Sequence, residues 1–227
     1  PDWGMKKEKK SDGRYYHTPD GYPFRHLTAE QIRNYPSPPA TSADWYDHAG
    51  YTQLVAPYRD KAIFTTSGHS IMIWAWGCLG PEDECLMMFY TDPEKMEAAL
   101  DRITEFHLDY LEKLLSQNPE VPEYVFFNDD LATQQAPLIG PDMYRKFQLP
   151  RLKKICDLVH KYGRKMVQHC CGAVKELIPL FIEAGIDLVH PLQPGLPGND
   201  IRELKKEFGR QIIFFQGLDM QEIMRKW

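Results

Sequence analysis

The sequence predicts an α/β fold built on a parallel β-sheet. From residue 61 onward, short apolar stretches alternate with helical stretches in the order strand, helix, strand, helix. Such alternation, with right-handed crossovers, produces parallel strands. The short stretches are apolar on both faces, as buried parallel strands are. Two architectures fit this pattern: part of a (β/α)8 barrel, and an open doubly wound sheet.

Composition excludes several classes of protein. The chain has 227 residues, 43% of them hydrophobic, which is enough for one large domain with a core. A net charge of −5 argues against a nucleic-acid partner. No apolar run reaches the roughly 18 residues of a membrane span. The five cysteines are odd in number and irregularly spaced, so we expect a reducing, cytoplasmic setting without a disulfide framework.

Residues 1–60 are rich in turn-forming and aromatic residues. We expect an irregular N-terminal segment packed on the barrel, with residues 61–227 as the barrel portion of a single domain. The three prolines within residues 34–40 exclude a helix or a central strand there. Thr28 and Gln31 have the spacing of a capping box, which predicts a short helix after Thr28.

The remaining elements follow from hydrophobic periodicity and capping signals. Strands are predicted at 62–66, 124–127, 165–168, 187–189 and 211–215. The main helices are predicted at 93–116, 141–162, 173–184 and 200–208, with a further helical turn from residue 219. These make about five strand–helix units, whereas a full barrel has eight. No glycine-rich phosphate fingerprint follows any strand, which disfavours a dinucleotide-binding doubly wound sheet.

Polar side chains accumulate where these strands end. Chemistry in parallel α/β folds is carried at the carboxyl ends of the strands. The candidate residues at or just beyond those ends are Asp129, Asp130, Gln134, His169, Cys171, His190, Gln193 and Gln216. Any one of them could be an ordinary polar loop residue. Their recurrence at successive strand ends predicts a site.

His169 and Cys171 are the strongest candidates for metal ligands. Side chains at i and i+2 of a strand point to the same side, so an imidazole and a thiolate can converge on one ion. Zinc takes both ligand types, and a catalytic zinc has three protein ligands and one open position. Cys170 should point to the opposite face and pack in the core. The alternative is that His169 and Cys171 are themselves buried core residues.

The remaining strand-end residues allow more than one role. Asp129 and Asp130 are adjacent and should face opposite ways, so one can enter the site while the other caps a turn. A carboxylate there could be a third metal ligand, a general acid–base or a substrate anchor. The alternative is that both satisfy backbone donors in the loop. His190 could be a ligand, an acid–base group or a residue bonded only to backbone.

Six motifs follow one another along the chain: Asn128-Asp129-Asp130-Leu131-Ala132-Thr133-Gln134, Pro141-Asp142-Met143-Tyr144, Pro150-Arg151-Leu152-Lys153, His169-Cys170-Cys171-Gly172, His190-Pro191-Leu192-Gln193-Pro194 and Gln216-Gly217-Leu218-Asp219. This ordered set resembles the uroporphyrinogen decarboxylase superfamily, and most closely its branch of methylcobalamin:coenzyme M methyltransferases and corinoid-dependent O-demethylation enzymes. The resemblance implies a TIM barrel, here a partial one. It also implies a zinc motif of His-x-Cys with a second Cys far downstream. His169 and Cys171 match the first part, and no Cys follows them here.

The function implied by the resemblance is zinc-dependent methyl transfer between a corinoid, such as methylcobalamin, and a thiol or other acceptor. His169 and Cys171 would hold the metal, Asp129, Asp130 and His190 would act in catalysis, and Gln134, Gln193 and Gln216 would bind substrate. A separate corinoid protein is the implied partner. Two alternatives remain open: a metal-free uroporphyrinogen decarboxylase of tetrapyrrole biosynthesis, and a non-catalytic barrel that binds a corinoid or tetrapyrrole.

Overall fold

A computed structural model describes residues 3–38, 47–118, 122–215 and 217. The chain divides into two compact units, one of residues Pro1–Asp47 and Ile71–Tyr110 and the other of His48–Ser70 and Leu111–Trp227. The expected irregular segment over residues 1–60 and barrel portion over residues 61–227 stay a prediction. Among the described residues, no helix is both long and apolar enough to cross a membrane.

The first unit contains short regular elements, and the first three of them lie within residues 1–60, where the sequence predicted a largely irregular segment with one short helix after Thr28. They are strands β1 (Lys7–Lys9) and β2 (Tyr15–His17), and helices α1 (Ala29–Arg33), α3 (Met72–Leu79) and α4 (Glu82–Thr91). The predicted capping box at Thr28 is confirmed, because its side chain accepts from the Gln31 amide and the Gln31 side chain accepts from Thr28 N. The core of this unit centres on the rings of Trp3, Phe24 and Phe106.

The second unit is built on a parallel sheet whose strands are β3 (Phe64–His69), β4 (Tyr124–Asn128), β5 (Lys165–His169), β6 (Leu188–His190) and β7 (Ile213–Phe214). Within the described residues the spatial order is β3-β4-β5-β6-β7, the same as the order along the chain. A doubly wound sheet reverses its strand order at a switch point, and this sheet does not. Sequential order is that of a barrel wall, so the predicted partial TIM barrel is confirmed.

The helices of the second unit are α2 (His48–Val55), α6 (Pro141–Met143), α7 (Leu149–Lys161), α8 (Ile178–Ala184) and α9 (Ile201–Phe208), with 3₁₀ turns at Ala56–Tyr58 and Lys175–Leu177. The long helix α5 (Pro93–Gln117) begins in the first unit and ends in the second. Helix α7 packs against β5, and its buried stripe includes Leu152, Ile155 and Val159. The strand residues on the helix-packed face, such as Val125 and Met166, are fully buried.

The opposite face of the sheet, which we call the site face, carries Phe126, Asn128, His169 and His190. Strand β4 alternates between half-buried and fully buried residues, and Phe126 and Asn128 belong to the half-buried set. The rings of Phe126, His169 and His190 lie within 5.8 Å of one another, measured between centroids. The site face is therefore aromatic and only partly covered by the described residues.

The predicted helix over residues 141–162 is interrupted. A π-helical turn occupies Tyr144–Gln148, between α6 and α7. Pro150 explains the change, because proline has no N–H for the carbonyl four residues earlier and its ring crowds that carbonyl. The Leu149 N–H bonds to the Tyr144 carbonyl, five residues back. Such π turns often occur at functional sites, and this one brings Gln148 to the end of β4.

The predicted helix over residues 173–184 begins later than expected. The Ala173 N–H bonds to the Thr133 carbonyl and the Val174 N–H to Asn199 Oδ1, so both donors are used by neighbouring loops. The helical turns start only at Lys175. The helical turn predicted from residue 219 lies outside the described residues.

Candidate metal centre

Three ligand types converge at the carboxyl ends of β4 and β5. One ligand atom each from Asp130, His169 and Cys171 lies within 4.8 Å of the others. His169 Nε2 is 3.3 Å from Asp130 Oδ1 and 3.5 Å from Cys171 Sγ. All three residues are partly exposed, so the cluster is open to a ligand.

Hydrogen bonds between the strand backbones orient these three side chains. The ladder continues beyond the named strands, because Asp129 N–H bonds to the His169 carbonyl and Cys170 N–H bonds to the His190 carbonyl. Asp130 and Cys171 therefore follow residues that are still held in extended pairing. Cys171 lies beyond the end of β5 and yet faces the same side as His169, as the i, i+2 spacing predicts.

Asp130 connects the two strand ends. Its Oδ1 accepts a 2.8 Å hydrogen bond from the Cys171 backbone N–H. The hydrogen bond from His169, and then the one from Cys171 N–H, hold the pKa of Asp130 below its ordinary value. Partial burial, followed by the neighbouring charge of Asp130, raises the pKa of the Cys171 thiol. A cation bound in this cluster would instead lower the pKa of the Cys171 thiol, because metals favour the thiolate.

The side chain of Asp129 lies apart from the cluster, because adjacent residues in an extended segment point to opposite faces. It is fully buried, and it accepts hydrogen bonds from the Ser70 hydroxyl and from Gln148 Nε2, the latter at 2.8 Å. Of the two adjacent aspartates, the structure thus places Asp130 at the cluster and Asp129 in a buried network behind it. Ser70 and Gln148 were not singled out from the sequence, because only the fold brings them to Asp129.

His190 lies at the end of β6 and faces His169. The two Nδ1 atoms are 2.8 Å apart, which is a hydrogen bond between the two imidazoles. The His190 ring also packs on Phe126 and Phe215, with centroid distances of 5.1 and 5.4 Å. His190 is therefore beside the cluster but on the far side of the His169 ring from the ligand atoms.

The three glutamines are placed differently from one another. Gln193 Oε1 accepts the Gly172 backbone N–H at 2.5 Å, so its carbonyl braces the segment that follows Cys171. Gln134 is exposed in a turn that the hydrogen bonds of Thr133 close. Gln216 lies outside the described residues. Their roles in substrate binding remain predictions.

Two further residues, Cys170 and Asn128, lie next to the cluster. Cys170 is fully buried, and its sulfur accepts the Leu131 N–H, which agrees with the packing role predicted for it. Asn128 is paired in register with His169 on the site face. Its Oδ1 is buried with no hydrogen-bond partner among the described residues. The strand-end position of Asn128 was visible in the sequence, but this unpaired oxygen was not.

Comparisons with known proteins agree with this architecture. Residues 81–217 match the family model described as uroporphyrinogen decarboxylase (URO-D). A solved methyltransferase from Methanosarcina mazei superposes with a TM-score of 0.62 at 17% sequence identity, over 83% of this chain and 53% of the methyltransferase. The chain thus spans about half the length of that enzyme, and the likeness concerns the fold. The comparison with curated proteins found no match.

Proposed function

Since the chain belongs to the uroporphyrinogen decarboxylase family, we propose that it is a zinc-dependent methyltransferase acting between a corinoid and a thiol or another acceptor. The observation that carries the proposal is the cluster of Asp130, His169 and Cys171. The name of the solved methyltransferase with the same fold supports the class of reaction. A separate small protein that delivers the corinoid is part of the proposal.

The cluster fits zinc in both chemistry and spacing. An imidazole, a thiolate and a carboxylate are all zinc ligands, and three of them leave a fourth position for a substrate. Typical zinc–ligand distances place the ligand atoms of a tetrahedral site about 3.3–3.7 Å apart. The separations from His169 Nε2 to Asp130 Oδ1 and to Cys171 Sγ, 3.3 and 3.5 Å, fall in that range. In the proposed site Asp130 is the third ligand, because its carboxylate lies in the same cluster as His169 and Cys171.

The residues around the cluster suit the binding of an acceptor. His169, Cys171 and Asp130 would hold the zinc ion, which would supply the Lewis acidity that lowers the pKa of an acceptor thiol. The resulting thiolate would form a sulfur–carbon bond to the methyl group while the cobalt–carbon bond breaks and its electron pair stays on cobalt. The half-buried ring of Phe126 forms an apolar wall beside His169. Asn128 Oδ1, which has no partner in the described structure, can accept a hydrogen bond from an N–H or O–H of the acceptor.

Metal analysis of the purified full-length protein tests the first half of the proposal. We expect about one zinc per chain, lost in Cys171→Ala, because a catalytic site with two remaining protein ligands binds zinc weakly. Cys170→Ala is the matched control, since this adjacent thiol faces the core. Zinc below about 0.2 per chain, unchanged by His169→Ala, would contradict the metal site.

An assay of methyl transfer from methylcobalamin to a small thiol tests the second half. We expect turnover that depends on zinc and is lost in His169→Ala. Two other outcomes would reassign the protein. Decarboxylation of uroporphyrinogen without methyl transfer would make it a decarboxylase. A spectral shift on adding cobalamin, without transfer to any thiol, would make it a binding protein.

A further inference from the structure

The two nitrogens of the His169 ring face different surroundings. Nε2 faces the carboxylate of Asp130 and the sulfur of Cys171, whereas Nδ1 faces Nδ1 of His190 at 2.8 Å. In neutral imidazoles one nitrogen carries a proton and the other a lone pair. A hydrogen bond between two facing Nδ1 atoms therefore requires that one of them donates and the other accepts.

Coordination decides the direction of this bond. A His169 that binds metal through Nε2 uses the Nε2 lone pair, so its proton must reside on Nδ1. His169 then donates to His190, which accepts at Nδ1 and carries its own proton on Nε2. We propose that His190 is a positioning residue for the metal ligand: its Nδ1 lone pair fixes the tautomer and the ring orientation of His169. This inference rests on the metal site of the proposed function.

The structure holds this acceptor firmly in place. His169 and His190 are partners in the register of β5 and β6, and the His190 carbonyl accepts the Cys170 N–H at 2.9 Å. The segment that carries both proposed ligands, His169 and Cys171, is thus bonded to the backbone of the residue that orients His169. The His190 ring is also packed between Phe126 and Phe215, which limits its rotation.

A purely structural role for His190 would lie in that aromatic packing, and two substitutions separate the two roles. His190→Asn loses the ring but can place its Oδ1 near the position of Nδ1, so it keeps the acceptor. His190→Phe keeps a ring that packs on Phe126 and Phe215 but has no acceptor. The two roles therefore predict opposite orders of zinc affinity for the same pair of variants.

The experiment is a competition titration of zinc against a chromophoric chelator, using the full chain and each variant, with thermal melts to confirm folding. Loss of an outer-shell partner of a metal-bound histidine typically weakens affinity about 10–100-fold, and we expect this loss in His190→Phe. His190→Asn should stay within about threefold of the wild type, since it retains an acceptor. A His190→Phe protein that binds zinc as tightly as the wild type would overturn the inference.

Nitrogen-15 NMR of the zinc-loaded wild type gives a readout that does not depend on the variants. We expect the proton of His169 on Nδ1 and that of His190 on Nε2. A protonated His190 Nδ1 in the loaded protein would refute the positioning role even if both variants fail to fold. If the wild type binds no zinc, the proposed function fails and the inference fails with it. Zinc binding that is indifferent to His190 refutes the inference alone.

Discussion

At the scale of single residues, two adjacent aspartates have different environments, and this leads to opposite phenotypes. Asp129 is fully buried and accepts from Ser70 and Gln148, so Asp129→Ala would leave buried donors unpaired. We expect this change to lower the free energy of unfolding by about 2–4 kcal/mol. Asp130 is half-exposed, and Asp130→Ala should cost about 1 kcal/mol or less while weakening zinc binding.

Urea denaturation and zinc titration of both variants measure this difference. Each aspartate serves as the control for the other, because the two changes remove the same group one residue apart. Equal losses of stability in the two variants would contradict the assignment of Asp129 to the buried network. Intact zinc binding in Asp130→Ala would remove Asp130 from the ligand set.

The Cys171 thiol predicts a pH dependence of metal binding. Burial and the charge of Asp130 raise its pKa, so the metal-free thiol keeps its proton at neutral pH. Zinc binds the thiolate, and below that pKa each unit of falling pH reduces the thiolate fraction, and hence the affinity, about tenfold for one displaced proton. Zinc affinity should therefore rise with pH from 6 to 8.5. Competition titrations over that range measure the slope, and a flat profile would show that no thiol proton is displaced.

At the scale of elements, the segment after β5 depends on a glycine. Gly172 has φ +103°, and a Cβ there would lie 2.4 Å from the Thr133 carbonyl oxygen and 2.7 Å from that of Ala132. Gly172→Ala should therefore displace the segment and lower both stability and zinc affinity. Gly163→Ala is the control, because Gly163 also has a positive φ, +69°, but open space around it.

We expect the control to cost about 1 kcal/mol, from the left-handed backbone alone, and Gly172→Ala to cost more. Thermal melts give the stability difference, and zinc titration shows whether the displacement reaches Cys171. Equal effects of the two substitutions would mean that the loop after β4 yields to the added methyl group.

Local sequence signals predicted some element bounds correctly and others not. Strands β4 and β5 begin at the predicted residues, because clear turn signals bound their apolar stretches. Each strand extends one residue further than predicted. The helix predicted over 141–162 is interrupted near its start by a π turn, which directly precedes the segment that contains Pro150. The helix predicted from residue 173 begins at Lys175 instead, and the N–H groups of Ala173 and Val174 bond to other loops. Tertiary partners cannot be read from the local pattern.

At the scale of the whole molecule, the sheet order predicts a gradient of backbone protection. Strands β4, β5 and β6 are paired on both sides within the described structure, whereas β7 has two residues and β1 and β2 form an exposed hairpin. Hydrogen exchange should be slowest in β4 and β5 and fastest in the β1–β2 hairpin, because exposed pairs open without disrupting the core. Uniform protection across these strands, measured by mass spectrometry, would contradict this gradient.

The sequence alone determined the α/β class, the parallel strands and the convergence of His169 with Cys171, because these depend on periodicity and on spacing along one chain. Only the tertiary structure decided which aspartate joins them, that Gln193 braces Gly172, and that His190 bonds to His169. Each of those contacts joins two different strands or their loops. The register of the parallel ladder and the crossovers between strands fix such contacts, and neither is encoded in any single stretch of residues.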